Sequence, residues 1–378
     1  MTILAPGKTL PEGWLLIDAG KIVDFGTGEP PIVPGAATID GHGGSLLPGF
    51  IDVHVHGARG CDTMDADPDA LRTMARFYAQ HGVTGFLATT MSVASTSIRA
   101  ALETIAACRG AMQGGATLLG AHLEGPYINP TMKGAQDSDY IRRADPSEYH
   151  GWLDLGVIRQ VTVAPEFPEN EQFIRDCAAA GIVVSVGHTT ATYEEVQTAI
   201  ALGARQATHT FNVMTGLHHR HPGTVGAVLA SDAMRCELIA DTIHVHLAVL
   251  KVAIRAKGIA GIVAVTDAMR GAGMPDGQYE IGGQAVTVDH GMATLADGTL
   301  AGSILTMDRA LQNILAASGL TLADAWPMMS ANAAEQLGLA GHKGRIAVGY
   351  DADLVLLDGS CGVQMTIAEG VIVHQCPA

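Results

Sequence analysis

Charge is scarce in this chain. Lys, Arg, Asp and Glu together make up 16% of the 378 residues, against 48% apolar residues. That balance excludes a disordered polypeptide and supports a large buried core. Positive charge is scarcer still, with 22 Lys and Arg against 38 Asp and Glu, a formal net charge of −16. No general nucleic-acid binder is expected, because such a protein needs a basic footprint to displace counterions from phosphates. A small anionic ligand is compatible with this charge only if it meets a locally cationic pocket. Cysteine is sparse: Cys61, Cys108, Cys177, Cys236, Cys361 and Cys376 form no C-x-x-C pair and are too dispersed for a disulfide framework. They read as reduced thiols of a cytoplasmic protein. Long apolar runs are missing too. Those present are broken by Gly, Asp or His and none could span a bilayer, so no membrane association is expected. Met1 to Leu10 has no basic stretch followed by an apolar core, so no secretory leader is read there. Aromatics account for only 4%, beside 46 glycines and 16 histidines, and that combination of tight turns with metal-binding or proton-transferring groups points to an enzyme.

At about 150 residues per domain the length allows two or three units, or one large barrel with an appendage. The first stretch reads as strands and turns. Trp14–Asp18 and Lys21–Phe25 flank Gly20 as a hairpin, and Pro30, Pro31 and Pro34 then break the pattern. At the other end Ala352–Leu357 and Val371–Val373 are strand-like. Neither end could bury a core alone, so both are expected to pair into one small β-sandwich domain. Between them, eight short apolar runs ending in polar residues begin near Phe50, Gly85, Leu118, Gln160, Val183, Gln206, Leu238 and Ile262. Helical stretches separate most of them: Pro68–His81, Ile98–Arg109, Glu171–Ala180, Tyr193–Leu202 and His246–Lys257. This alternation predicts an α/β fold with a closed (β/α)8, TIM-like barrel. A doubly wound open sheet is the alternative, although no G-x-G-x-x-G follows the first strand. A hairpin-like excursion over Gly271–Gly302 and helices near Met307–Ala317 and Leu322–Leu337 complete the pattern. The expected domains are 1–46 and 341–378 for the two parts of the small domain and 47–340 for the barrel.

The chemistry-bearing residues cluster at strand ends. His54 and His56 form an H-x-H at the end of the first barrel strand, and residues two apart on a strand point to the same side. Glu124 ends the third strand, before Gly125-Pro126. His188 ends the fifth, His209 lies in the sixth and Asp267 ends the eighth. Taken singly, each has an ordinary explanation: a hydrogen-bonded histidine, a solvated acid or a helix N-cap. Together they gather on the carboxyl-terminal rim, where barrel active sites lie. Imidazole nitrogen and carboxylate oxygen suit a divalent cation such as Zn²⁺ or Fe²⁺. His218-His219-Arg220-His221 is the densest cationic run, and its Arg220 offers a planar fork suited to phosphate oxygens.

These motifs, read with Pro48–Gly57, His122-Leu123-Glu124-Gly125-Pro126, Gly187-His188-Thr189, His209–Met214, Ile239–His244, Val265–Ala268 and the tail Lys343–Leu354, resemble the amidohydrolase superfamily, and within it the N-acetylglucosamine-6-phosphate deacetylase family. The resemblance runs nearly end to end. It implies that Glu124, His188 and His209 hold the main metal, and that His54 and His56 hold a second one, with Asp267 close by as the acid/base. By the same resemblance Asn212, Val213, Leu300, Ala301 and Gly302 line the sugar site. Arg220 and His244 bind the 6-phosphate, partly across a homodimer interface. The implied ligands are one or two Zn or Fe ions per subunit and a small amino-sugar phosphate.

One departure stands out. After Ala135 this chain has Gln136, where the family carries a histidine that hydrogen-bonds the acetyl carbonyl. A glutamine amide donates but cannot become cationic, so Gln136 is expected to keep that contact at reduced strength, with Ala135 beside it in the substrate site. His122 shares a face with Glu124 and reads as a support rather than a ligand. The expected reaction is hydrolysis of an N-acetylated amino-sugar 6-phosphate, with the galactosamine epimer as an alternative substrate. A non-catalytic scaffold and a sugar-phosphate isomerase are disfavoured, the first because every metal position is intact, the second because it leaves the donor cluster unexplained.

Overall fold

The computed structural model describes residues 1–377. Eight parallel strands, numbered β1–β8 around the barrel, form its centre: β1 (Phe50–Val55), β2 (Val83–Thr89), β3 (Thr117–Glu124), β4 (Ile158–Val163), β5 (Val183–Val186), β6 (Ala204–Ala207), β7 (Arg235–Ile239) and β8 (Ile262–Val265). Each pairs with the next in chain order. The barrel closes where Val55 bridges Ala268, with the Asp267 N–H donating to the His54 carbonyl at 2.8 Å and the His56 N–H to the Ala268 carbonyl at 2.8 Å. β1, β2 and β3 are buried along their whole length. Strands covered on both faces read as apolar runs rather than as alternation, which is why they were legible in the sequence.

Local chemistry sets the surrounding helices. Pro68–Gln80 starts on an Asp67 cap, with Pro at its first position and Leu71, Met74, Phe77 and Tyr78 buried. Tyr193–Leu202 has the expected bounds, set by a Thr192/Glu195 capping box and by Gly203 at φ 116°. Two helices were not anticipated, Pro146–Leu153 and Gly223–Ala230. The stretch expected to run continuously from Leu322 to Leu337 is two helices, Leu322–Met329 and Ala331–Gln336. The break falls at buried Ser330, whose hydroxyl donates to the Trp326 carbonyl at 3.2 Å. Among the described residues no helix is long and apolar enough to cross a membrane.

Both chain ends enter one six-stranded mixed sheet, in the order Lys8–Leu10, Thr2–Ala5, Ser45–Pro48, Leu354–Leu357, Val363–Ala368, Val371–Gln375. The hairpin Gly13–Asp18/Lys21–Thr27 supplies the facing layer, and Leu15, Ile17 and Phe25 pack on a core of Ile3, Ile22, Leu46, Leu354 and Met365. The excursion after β8 is a three-stranded antiparallel sheet, Gly277–Ile281, Gln284–Asp289 and Met292–Thr294, with its own small core.

A buried cation ties the tail together. Lys343 Nζ lies 2.8 Å from Asp353, 2.9 Å from Asp351 and 3.3 Å from Glu369. Lys343→Met leaves buried Asp353 without its cation, while Asp351 keeps Lys21. It is expected to destabilise the protein by about 3–5 kcal/mol, the usual penalty for removing one partner of a buried pair, read as a lower unfolding midpoint in denaturant.

Candidate metal centre and active site

The carboxyl-terminal rim of the barrel gathers all six predicted donors. His54 and His56 come from the end of β1 and Glu124 is the last residue of β3. His188, His209 and Asp267 each lie two residues beyond β5, β6 and β8, where the chain turns out of its strand. These three have left-handed backbones, with φ of 49°, 28° and 53°. Such conformations are unfavourable for residues other than glycine and persist only where their surroundings enforce them. Here the enforcement is visible in main-chain bonds. The Asn129 N–H donates to the His188 carbonyl at 2.9 Å, the Asn212 N–H to that of His209 at 3.0 Å and the Ser303 N–H to that of Asp267 at 2.7 Å.

Glu124 is the hub. Its Oε1 lies 3.4 Å from His54 Nε2 and 3.3 Å from the Nε2 atoms of both His188 and His209, while its Oε2 lies 3.2 Å from His56 Nε2. Asp267 Oδ1 faces His54 and His56 Nε2 at 3.4 and 3.2 Å. The donors fall into two triads, Glu124/His188/His209 and His54/His56/Asp267, each compact enough to hold one divalent metal ion. The chemistry of the donor set fits such an ion. The His188 Nδ1 is engaged by the Met132 carbonyl at 2.8 Å and the His54 Nδ1 by Glu237 at 3.1 Å, so both rings turn Nε2 towards the centre. His54 Nε2 and Asp267 Oδ1 are buried there without a hydrogen-bond partner among the described residues.

The charge balance points the same way. Burial alone would lower the pKa of His56, but Asp267 and Glu124 outweigh it and raise the value to about 9. His54 is likewise driven well above its ordinary value against burial, by the charges of Asp267 and Glu124. Burial would raise Glu124 and Asp267, yet the positive field led by His54 holds both below the usual carboxylate range. Two buried carboxylates thus recruit positive charge to this spot, which a divalent cation supplies more effectively than protons. His122, by contrast, is kept neutral by burial and by His54, and it bonds Thr162 at 2.8 Å and Thr89 at 3.3 Å.

A cavity of about 220 Å³ opens over the cluster. His56, Glu124, His188, His209 and Asp267 form part of its lining, together with Ala135, Gln136, Asn212, Val213, His244, Leu300 and Gly302 from the expected substrate site. Three expected site residues are not part of this lining. His54 is fully buried beneath the floor. Ala301 turns into the small core of the three-stranded sheet. Arg220 is exposed, with its guanidinium against His219 at 2.6 Å, and is not part of the cavity wall. His244 is held by Asp241, which accepts from its Nδ1 at 2.6 Å and from its backbone N–H at 2.7 Å. Burial alone would lower the His244 pKa, but the bond and charge of Asp241 raise it above its ordinary value. Gln136 is engaged within the protein. Its Nε2 donates to Glu124 Oε2 at 2.9 Å, and its Oε1 accepts from the Ser92 N–H at 2.6 Å.

The profile of the amidohydrolase family matches residues 45–373. The chain belongs to the amidohydrolase family. It is 43% identical over 340 residues to the N-acetylglucosamine-6-phosphate deacetylase of Lysinibacillus sphaericus, covering 89% of this chain and 88% of the relative. With the enzyme of the same name from Bacillus subtilis (strain 168) it shares 40% identity over 378 residues, covering 98% and 95%. The N-acetylgalactosamine-6-phosphate deacetylase of Escherichia coli O157:H7 is 38% identical over 361 residues, covering 95% of each chain. Among solved structures, the N-acetylglucosamine-6-phosphate deacetylase of Pasteurella multocida superposes with a TM-score of 0.93 at 30% identity, covering 98% of this chain and 97% of that one. A variant of the Mycobacterium smegmatis enzyme in complex with N-acetyl-D-glucosamine-6-phosphate gives 0.90 at 31% identity, with the same coverage.

Sequence reasoning missed several residues that shape the site of this family member. Met91 and Thr299 line the cavity. Glu166, just beyond β4, accepts from Asn129 at 2.8 Å and from the Thr189 hydroxyl at 2.5 Å, and so fixes the turn that carries His188. An acid after a barrel strand is the signal that could have marked it. Gln136→Ala removes the donor from Glu124 Oε2. It is expected to weaken metal binding by about tenfold, the usual size of losing a partner behind a metal ligand, as read by chelator competition.

Proposed function

We propose that this chain is a metal-dependent amide hydrolase that converts N-acetyl-D-glucosamine 6-phosphate and water into glucosamine 6-phosphate and acetate. The observation that carries this reading is the pair of donor triads meeting at Glu124 and Asp267 on the floor of a cavity that also presents His244. The relatives with matching names, aligned over most of their length, support the choice of substrate. Glu124, His188 and His209 would hold one divalent ion and His54, His56 and Asp267 a second, with Zn²⁺ or Fe²⁺ fitting the nitrogen and oxygen donors. When bound, such an ion lowers the pKa of water from 15.7 to about 7 and polarises a carbonyl.

The chain's own groups do the rest. Asp267 is held ionised by its histidine neighbours, so its carboxylate accepts a proton from the attacking water. The same carboxyl then returns that proton to the amine nitrogen as the carbon–nitrogen bond breaks, and the acetyl carbon leaves as acetate. Gln136 keeps Glu124 oriented rather than reaching the acetyl group, since both ends of its amide already have protein partners. Asn212, Val213, Leu300 and Gly302 shape the sugar pocket, and His244 meets the phosphate. Arg220 is exposed on its own subunit and in this reading completes the phosphate site of a second copy, making the active form a homodimer. Sedimentation at assay concentration checks that state.

The E. coli relative that acts on the galactosamine compound favours a second reading in which that epimer is the substrate. Purified protein is expected to carry one or two divalent ions per chain and to release acetate from the glucosamine compound with the higher kcat/KM. Metal-replete protein that leaves both compounds intact would end this proposal. A pH dependence follows from His244. Its raised pKa keeps the imidazole cationic up to a pH above 6.5, so KM is expected to rise as pH increases through that raised value. Asp241→Asn removes the supporting charge. The rise in KM should then begin at lower pH, with kcat little changed.

A further inference from the structure

Behind His54, on the side away from the cavity, lies a carboxylate that neither triad uses. Glu237 sits in the middle of β7 with 0% of its surface exposed. Of the four groups that hydrogen-bond its side chain, three are fixed N–H donors and the fourth is a ring nitrogen of His54. Oε2 lies 3.1 Å from His54 Nδ1 and accepts from the His209 backbone N–H at 3.1 Å, while Oε1 accepts from Gln160 Nε2 at 2.6 Å and Gln206 Nε2 at 2.5 Å. Its one ion-pair partner among the described residues is His54.

We propose that Glu237 is the positioning residue that couples the two triads, an inference that rests on reading them as metal sites. The amides behind it form a one-way chain. Gln336 Nε2 donates to Gln206 Oε1 at 3.1 Å, Gln206 Nε2 to Gln160 Oε1 at 2.8 Å, and both Gln160 and Gln206 to Glu237 Oε1. That chain converges on Glu237 Oε1, which accepts from both amides, so the carboxylate is held in one orientation and Oε2 is fixed in place. Oε2 then acts on one member of each triad. It accepts a hydrogen bond from His54 Nδ1–H, which leaves the Nε2 lone pair facing Glu124 and Asp267 at 3.4 Å each. It also holds the backbone N–H of His209, whose φ of 28° needs such a tether. The two rings, His54 and His209, are thereby kept with their centroids 5.6 Å apart.

A glutamine at position 237 has the same shape and the wrong hydrogen-bonding pattern. If its oxygen faces His54, its NH₂ meets two amide donors. If it is turned round, its NH₂ faces the His54 Nδ1–H, and the ring regains a bond only by moving its proton to Nε2, which removes the metal-facing lone pair. Glu237→Gln is therefore expected to weaken the His54/His56/Asp267 ion about 10- to 100-fold and the Glu124/His188/His209 ion less, measured by Zn²⁺ titration of the apoprotein against a chelator. A role in packing alone would lower the unfolding midpoint without separating the two affinities. Unchanged affinities, or equal losses at both sites, overturn the proposal.

If the variant does not fold, the wild-type holoprotein decides. Long-range ¹⁵N–¹H spectra of histidine-labelled protein, with His54 identified by its absence in His54→Gln, should place the proton on Nδ1. A proton on Nε2 overturns the proposal. Neither readout involves substrate, so a chain that binds both ions but leaves amino-sugar phosphates intact would refute the functional reading and not this one.

Discussion

Two buried carboxylates facing four imidazoles create a demand for positive charge that the fold alone does not meet. Glu124 touches histidines of both triads and Asp267 faces those of one, and neither carboxylate has a lysine or arginine partner among the described ion pairs. Placing such a cluster in a core of low dielectric is unfavourable unless a cation balances it. The barrel provides the rigid frame that makes this arrangement affordable. Six side chains from five strand ends converge because parallel strands in register deliver their carboxyl ends to one rim. The left-handed turns at His188, His209 and Asp267 then aim the donors inward.

Support for that rim comes from the polar interior of the barrel. Glu166 secures the turn after β5, Asp241 secures His244, and Glu237 with its glutamines fills the layer below the histidines. Thr162 and Thr208 bond each other at 2.7 Å, and Thr162 also holds His122, which packs edge-on against His54 with ring centroids 4.5 Å apart. A barrel filled only with branched apolar residues would be simpler to fold. This one devotes its upper layers to hydrogen bonds that restrict the rotation and tautomers of the groups above.

Much of this was legible in the sequence because local chemistry announced it. The eight strands stood out as apolar runs closed by polar residues, and the helix at Tyr193–Leu202 was bracketed by its own capping box and glycine. All six residues of the two triads stood out, since strand ends and H-x-H spacing are local signals. What escaped depended on partners far along the chain. Gly223–Ala230 carries two glycines and no side-chain cap, so nothing in its composition marks a helix; packing imposes one. Glu237 reads as one acid in a short strand, and its importance arises only when β4, β6 and β7 bring Gln160, Gln206 and His209 against it. The position of Arg220 outside the cavity was equally hidden, because a cationic run specifies charge and not the direction in which the loop presents it.

The six-stranded sheet has a consequence for how the protein is made. Thr2–Ala5 precedes the barrel along the chain, whereas Leu354–Leu357, Val363–Ala368 and Val371–Gln375 follow it. The opening strands must wait through translation of the whole barrel before the later half of their sheet exists. Meanwhile the apolar side chains of Ile3, Ile22 and Leu46 lack most of their core, and exposed strand edges of this kind invite pairing with other chains. Completion of this sheet is thus a checkpoint on synthesis past the barrel, and a ribosome that stops before Leu354 releases a barrel whose earlier sheet strands lack their partners.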